Sequence, residues 1–158
     1  MLTMKGKYGL KAAIHLAGIA PGEVAQSSDI SETCGISKKF LDAILADMRV
    51  AGFVMTRKGR HGGYALIRPA EDIMVGHLIR ALDGPLAPIP CARRTGYAPC
   101  QDCADENRCA VRLLMLEVRE AIVSVLDTRS LAQLRDVADG KIPETEDEGY
   151  GISALLAG

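Results

Sequence analysis

Four cysteines gather in a short stretch of the second half of the chain. Cys91, Cys100, Cys103 and Cys109 follow the spacing Cys-x8-Cys-x2-Cys-x5-Cys. Thiolates are soft ligands that suit iron–sulfur clusters and zinc, and an irregular loop can fold several sulfurs around one centre. Zinc sites usually contain two closely spaced pairs of ligands, whereas only Cys100 and Cys103 form such a pair here. The spacing therefore favours an iron–sulfur cluster, with zinc, a metal-free thiol switch or inert cysteines as alternatives. The fifth cysteine, Cys34, stands apart and is interpreted as a small buried apolar residue.

The charge of the chain is divided between its two halves. Of 158 residues, 19 are Lys or Arg and 20 are Asp or Glu. Residues 1–70 hold ten basic and five acidic residues, whereas residues 71–158 hold nine and fifteen. A basic front half on an acidic back half is typical of a nucleic-acid-binding module joined to a sensing or dimerising part. Aromatic residues make up only 4% and Trp is absent, which argues against recognition by rows of stacked bases.

The basic half begins with a pattern that predicts a helix-turn-helix. Apolar residues at helical spacing predict a first helix over about 4–19, and a second short helix begins near Ser27. Cys34-Gly35-Ile36 reads as a tight turn, and Ser37 is a good N-cap for a third helix over about 38–51. Two short helices joined by a Gly-containing turn are the outline of a helix-turn-helix. The expected core positions of the third helix are Phe40, Leu41, Ile44, Leu45 and Met48.

A β-hairpin is predicted directly after the third helix. The β-prone runs 53–57 and 64–68 flank a loop, 58–63, that contains three glycines. A hairpin in this place is the wing of a winged helix-turn-helix, and its glycines allow the backbone to approach a phosphate closely. Ammonium groups and backbone amides at the start of the third helix also favour phosphate or base-edge acceptors. The expected DNA contacts are therefore Ser37, Lys38 and Lys39 on the helix, and Arg57, Lys58, Arg60 and His61 in the wing.

The remaining chain predicts helices around the cysteine loop. A helix over 75–82 precedes an irregular loop, and a long helix from Cys109 carries one apolar stripe: Val111, Leu114, Met115, Val118, Ile122, Val125 and Leu126. This stripe is a candidate two-fold dimer interface, with packing on the same chain as the alternative. The fold is therefore expected to be mainly α with a small β-hairpin wing. We divide it into a winged helix-turn-helix domain (1–83), a cysteine-rich sensor loop (84–108), a dimerisation helix region (109–138) and a disordered acidic, glycine-rich tail (139–158).

The combination of these motifs resembles a known family. The chain resembles the IscR/NsrR/RirA-type winged-helix repressors in five places. These are Leu2-Thr-Met-Lys-Gly-Lys-Tyr8, the turn at 34–37, Phe40-Leu41, the wing at 58–64 and the cysteine loop before a long helix. The resemblance covers about residues 1–137. It implies a homodimer that crosses its long helices, a recognition helix in the major groove and a 2Fe–2S or 4Fe–4S cluster in the loop. Asp42 matches a family position that reads the groove, where a carboxylate accepts from cytosine N4.

The resemblance also suggests which cysteines hold the cluster. Cys91 matches the first cluster cysteine of the family, and Cys103 and Cys109 match the last two. The gap between Cys91 and Cys103 is longer than usual, and Cys100 lies in the extra length.

The family's usual fourth ligands are missing from this chain. Arg112 stands where some relatives have a His, and Lys7 stands where others have a carboxylate. Cys100 is therefore our candidate for a substitute ligand in an all-cysteine site. The competing hypothesis is that Cys100 and Cys103 form a redox pair without a cluster.

Together these observations predict a regulator rather than an enzyme. We expect a cytoplasmic homodimer that represses transcription from a pseudo-palindromic operator and does not associate with membranes. Its cluster would sense iron, redox state or nitric oxide; the alternatives are a thiol switch, a zinc site or a small-molecule sensor. Catalysis is disfavoured because a Cys-x2-Cys oxidoreductase needs a βαβ setting and only two strands are predicted. The three histidines are also dispersed along the chain.

Overall fold

The computed structural model describes residues 2–141 and confirms a mainly α fold with one hairpin. The predicted tail at 139–158 lies largely outside these residues. In chain order the elements are α1 (Met4–Ala17), α2 (Ser27–Cys34), α3 (Lys38–Val50), β1 (Val54–Arg57), β2 (Gly63–Leu66), α4 (Val75–Asp83), α5 (Ala110–Leu126) and α6 (Leu131–Ala138). Three short 3-10 turns lie at Ala70–Asp72, Pro90–Ala92 and Glu106–Arg108.

Close packing of α1 on α4 forms one side of the core. A Cβ atom on Gly9 of α1 would overlap the side chain of Leu82, so any larger residue there would require Leu82 to shift. Thr3 caps α1 and donates from its backbone N and its Oγ1 to the two carboxylate oxygens of Asp83, at 2.8 and 2.6 Å. The start of α1 is thereby joined to the end of α4. The helix ends at Ala17, two residues earlier than the sequence pattern indicates.

The helix-turn-helix is formed by α2 and α3. Gly35 ends α2 with φ 63° and ψ 42°, the left-handed conformation that glycine adopts without strain. On α3, the predicted core residues Leu41, Ile44, Leu45 and Met48 are all buried. The prediction for Phe40 is wrong, because this side chain is 38% exposed. Its ring packs edge-on against Tyr8 of α1, with centroids 5.7 Å apart, so it lies at the rim of the core.

The hairpin pairs β1 with β2 in antiparallel register, with Val54 opposite Leu66. Its second strand begins at Gly63 and ends at Leu66, which is shorter than the predicted run 64–68. Tyr64 also exchanges two backbone hydrogen bonds with Ala25, at 2.8 and 2.9 Å. The segment before α2 therefore pairs with β2 as a third, strand-like segment. A Cβ on Gly63 would lie 2.7 Å from the carbonyl carbon of Ala25. The close approach that requires this glycine is therefore an internal one.

The chain returns to the core after α5. Leu131 of α6 is fully buried in the same cluster as the helix-turn-helix core. Backbone bonds from Val75 N to Arg129 O (2.8 Å) and from Leu131 N to Ile73 O (2.9 Å) fasten this return next to α4. A capping box at Ser130 starts α6, with the Gln133 side chain accepting from the Ser130 backbone N–H. Residues after α5 thus pack with the first 83 residues.

Candidate functional site

The start of α3 presents polar and basic groups at the surface. Ser37, Lys38 and Lys39 are all exposed. Ser37 occupies the N-cap position, but its side chain makes no capping hydrogen bond. Lys38 Nζ lies 2.7 Å from Asp42 Oδ2, one turn along the same face. Asp42 is half-buried, and its negative charge is partly offset by Lys38.

The wing carries exposed basic residues, as the sequence predicts. Lys58, Arg60 and His61 are exposed at its tip. Within residues 2–141, neither Lys58 nor Arg60 takes part in an ion pair. Arg57 is also exposed but donates to the carbonyl of Gly22 at 2.8 Å. Arg57 therefore holds the hairpin to the segment between α1 and α2, while Lys58 and Arg60 have no acidic partner among residues 2–141.

Two arginines of α5 hold the cysteine loop at its ends. Arg112 donates from Nε to the carbonyl of Cys91 at 3.0 Å and from Nη1 to the carbonyl of Glu106 at 3.4 Å. Arg119 donates to the carbonyl of Ala92 at 2.6 Å. Sequence reasoning treated Arg112 only as a residue that cannot ligate metal. The signal it missed is the spacing of seven residues, which places both arginines on one face of a helix.

The thiols of Cys103 and Cys109 lie near enough to influence each other's pKa. Cys109 is the N-cap residue of α5, and its pKa is lowered chiefly because the backbone N–H of Arg112 donates to its sulfur. The hydrogen bond from Cys103 lowers the pKa of Cys109 further and raises the pKa of Cys103 itself. Cys109 is therefore the residue of this pair that loses its proton first.

The other two loop cysteines lie in different surroundings. Cys91 is 6% exposed and lies within the turn held by the arginines. Cys100 is exposed, and its thiol donates to Asp102 Oδ1 at 2.8 Å, which raises the pKa of Cys100. Among residues 2–141 no three His, Cys, Asp or Glu side chains are grouped closely enough to hold a metal ion. The four thiols suit a soft metal centre by chemistry, and the structure brings one pair of them together.

Cys34 is separate from this loop. It is the last residue of α2 and is 6% exposed, its thiol donates to the carbonyl of Lys11 on α1 at 3.7 Å, and burial raises its pKa above the ordinary value. The Lys11 ammonium donates to its backbone carbonyl. Its interpretation as a buried core residue is confirmed.

The predicted apolar stripe of α5 divides into two parts. None of the seventeen residues of this helix is fully buried. Val118, Ile122 and Leu126 line a cleft against α4 of the same chain. Val111 and Leu114, by contrast, are 64% and 55% exposed. One part of the stripe, with Val118, Ile122 and Leu126, thus faces α4 of its own chain. The other part, with Val111 and Leu114, is an exposed apolar surface.

Comparison with known proteins decides the family. The profile of Rrf2, described as an iron-dependent transcriptional regulator, matches residues 2–136. The chain belongs to the Rrf2 family. It is 40% identical over 137 residues to the Rrf2-like HTH-type transcriptional regulator of Rhodobacter capsulatus, covering 85% of this chain and 91% of that one.

Solved structures of other family members share the fold. CymR, the global cysteine regulator of B. subtilis, is similar with a TM-score of 0.72 and 29% identity, covering 87% of this chain and 97% of CymR. IscR of T. potens is similar with a TM-score of 0.69 and 27% identity, covering 92% and 93%. The Rrf2 chain is therefore a winged-helix transcriptional regulator. In its described part, residues 2–141, no helix has both the length and the apolar character to cross a membrane.

Proposed function

We propose that this Rrf2 protein binds a pseudo-palindromic DNA operator through α3 and the wing and represses transcription there. The observation that carries the proposal is the set of exposed cations at the start of α3, the second helix of the helix-turn-helix, and at the tip of the wing that follows it. Ser37, Lys38, Lys39 and Asp42 would face base edges and phosphates in the major groove. Arg57, Lys58, Arg60 and His61 would contact the backbone or the minor groove.

The protein would act as a homodimer that pairs through α5. The support is the exposed apolar surface of this helix, which includes Val111, Leu114 and Val125. Large exposed apolar surfaces mark interaction sites, and a two-fold dimer uses the same surface on both subunits. A palindromic operator needs two recognition helices about one DNA turn apart, roughly 34–36 Å. The geometry of the α5 pair would set that separation.

The cysteine loop would hold an iron–sulfur cluster through Cys91, Cys100, Cys103 and Cys109. The family's description as iron-dependent and the four soft donors support this assignment. When bound, the cluster would supply a centre sensitive to iron supply, oxidants or nitric oxide. Cys109 is prepared for ligation by its lowered pKa, whereas Cys103 must release its proton from Sγ. Cys100 must leave its hydrogen bond to Asp102.

The loop is connected to α5 by residues of this chain. Arg112 and Arg119 hold the turn that contains Cys91 against the helix. Ordering the cysteines would therefore fix the loop on the same helix that we assign to the dimer contact. A change in loop order would alter the spacing of the two recognition helices and thereby the operator affinity.

Anaerobic purification with a visible spectrum and analysis of iron, sulfide and zinc tests the cluster. Absorbance at about 400 nm, together with iron and sulfide, is the result expected for cysteine-ligated clusters. Zinc alone, or a colourless and metal-free protein, would contradict it. The Cys100→Ala variant should lose iron and sulfide; an unchanged content would exclude Cys100 as the fourth ligand.

DNA binding is tested separately by fluorescence anisotropy on a duplex selected from random sequence. Lys58→Ala and Arg60→Ala should each weaken binding to all sequences and reduce the salt slope by about 1. Arg94→Ala is the matched control, because Arg94 is exposed but pairs with Glu120 on α5. An unchanged slope in the wing variants would remove them from the interface.

A thiol switch without a cluster is the second candidate, favoured by the proximity through which Cys103 and Cys109 change each other's pKa. Oxidation would join the two sulfurs in a disulfide, releasing two protons and passing two electrons to a peroxide or small-molecule disulfide. This pairing differs from the Cys100–Cys103 pair that the sequence suggests. Mass spectrometry of the oxidised, metal-free protein would identify which pair forms.

A further inference from the structure

A cleft of about 640 Å³ lies between α1, α4, α5 and the segment that follows α4. Its walls are largely apolar and include Leu10, Ile79, Leu86, Val118 and Ile122. This volume falls in the range of small-molecule sites, which combine apolar walls with a few polar groups. Neither the DNA contacts nor the cysteine ligands proposed above use this cleft.

Two charged residues line the cleft, and they differ in their partners. Both carboxylate oxygens of Asp83 accept hydrogen bonds from Thr3, so this carboxylate already has donors within the chain. Arg93 Nε is buried, and no atom in residues 2–141 accepts a hydrogen bond from it. A buried donor without a partner is unfavourable, because it has lost its water without gaining an acceptor. Arg93, which lines the cleft, therefore has a buried Nε without an acceptor and takes part in no ion pair among residues 2–141.

We propose that this cleft binds an apolar monocarboxylate, such as a fatty acid. The carboxylate would accept from the Arg93 guanidinium, whose planar donors match two carboxylate oxygens. The hydrocarbon chain would lie against Ile79, Val118 and Ile122. Arg93, which has no acidic partner among residues 2–141, favours an anionic group close to it, and the apolar walls favour a ligand with a hydrocarbon body.

The position of the cleft gives the ligand a regulatory consequence. Arg93 follows Cys91 by two residues, and Val118 and Ile122 belong to α5. A bound carboxylate would therefore fix the cysteine loop between α4 and α5. Ligand binding itself does not depend on the proposed function, whereas its effect on operator affinity rests on it.

Isothermal titration calorimetry of the full chain with decanoate and with decanol tests the site. We expect saturable binding of decanoate that is about tenfold tighter than that of decanol, because a hydrogen-bonded charge pair is lost with the alcohol. Arg93→Gln should remove this preference and leave decanol binding unchanged. The matched control is Arg94→Gln, since the Arg94 side chain is 71% exposed and pairs with Glu120; it should bind like the parent protein.

A second variant tests the apolar wall. Val118→Trp should fill the cleft and weaken both ligands, with circular dichroism used to verify folding. Equal affinity for decanoate and decanol, or an Arg93→Gln variant that retains the preference, would overturn the proposal. Decanoate that binds only when sedimentation shows monomers would assign the cleft to a second copy of the chain and would also overturn it. Operator binding by anisotropy is measured independently, so failure of this site is distinguishable from failure of DNA binding.

Discussion

Gly76 lies in the first turn of α4, against the ion pair that fastens α4 to the end of α5. Arg80 donates through Nη1 and Nη2 to the two carboxylate oxygens of Asp127, at 2.6 and 2.8 Å. A Cβ on Gly76 would overlap Asp127 Oδ1 and approach Asp127 Cγ to 3.1 Å. Alanine at this position must therefore displace the carboxylate from Arg80.

The size of the effect follows from exposure and helix propensity. The side chains of Arg80 and Asp127 are 33% and 30% exposed, so the pair lies between surface and buried examples, and we assign it about 1.5 kcal/mol. Alanine in place of a helical glycine raises the free energy of unfolding by about 0.5–1 kcal/mol through its higher helix propensity. Gly76→Ala should thus destabilise the parent protein by about 0.5–1 kcal/mol. In an Asp127→Ala background the same change should stabilise it by a similar amount.

Urea unfolding of the four proteins in this cycle measures the coupling. The expected result is a reversal in the sign of the Gly76→Ala effect between the two backgrounds. An equal effect in both backgrounds would refute the reasoning, because it would show that the methyl group does not act through Asp127.

The same ion pair predicts a pH dependence. The hydrogen bonds from Arg80 lower the pKa of Asp127 below its ordinary value. The stabilisation that the ion pair gives the folded protein is therefore complete above the pKa of Asp127 in the unfolded chain, about 3.9. It is lost as the pH falls through the lower pKa that Asp127 has in the folded protein. The difference in unfolding free energy between the parent and Asp127→Asn should be constant near neutrality and vanish in acid. A difference that persists below the folded pKa would contradict this assignment.

Three further changes test other parts of the molecule. Arg112→Ala should lower iron affinity by about 10–100-fold, because the turn that contains Cys91 loses one of its two arginine attachments to α5; anaerobic iron titration measures this. Leu114→Glu should convert the proposed dimer to monomers in analytical ultracentrifugation, whereas Val50→Glu, at an apolar position on α3 that is 85% exposed against 55% for Leu114, should leave it intact. Gly63→Ala should cost about 1–3 kcal/mol in urea unfolding, because its methyl group meets backbone rather than a movable side chain. Gly18→Ala, which has room for a Cβ, is the control and should be nearly neutral.

Local signals predicted the elements that we assign to DNA recognition. Gly35 and Ser37 mark the turn and the start of α3, and the structure places both at those positions. The glycine-rich loop predicted the hairpin because its turn chemistry is contained in a few adjacent residues. Phe40 was misjudged because apolar type and helical spacing do not say whether a position at the first turn reaches the core.

Contacts between distant segments could not be predicted in this way. The pairing of Tyr64 with Ala25 and the return of α6 beside α4 depend on backbone groups, which leave no pattern in side-chain type. The cysteine pairing is a similar case. Nearness in sequence favoured a pair of Cys100 with Cys103. In the structure, backbone amides at the start of α5 donate to the sulfur of Cys109, and the thiol that interacts with this sulfur is that of Cys103.

The connections of α5 explain how one loop could control a distant DNA-binding surface. At its start, Arg112 holds the cysteine loop; at its end, Asp127 is joined to Arg80 of α4. Immediately afterwards, Leu131 enters the core that also supports α3. A displacement of α5 must therefore strain either the ion pair or a packed core, and neither deforms continuously. On the proposed function, the loop would shift α5 between two discrete positions. Gly76→Ala loosens the attachment of α5 to α4. This variant should therefore show a smaller difference in operator affinity between the metal-loaded and the metal-free protein.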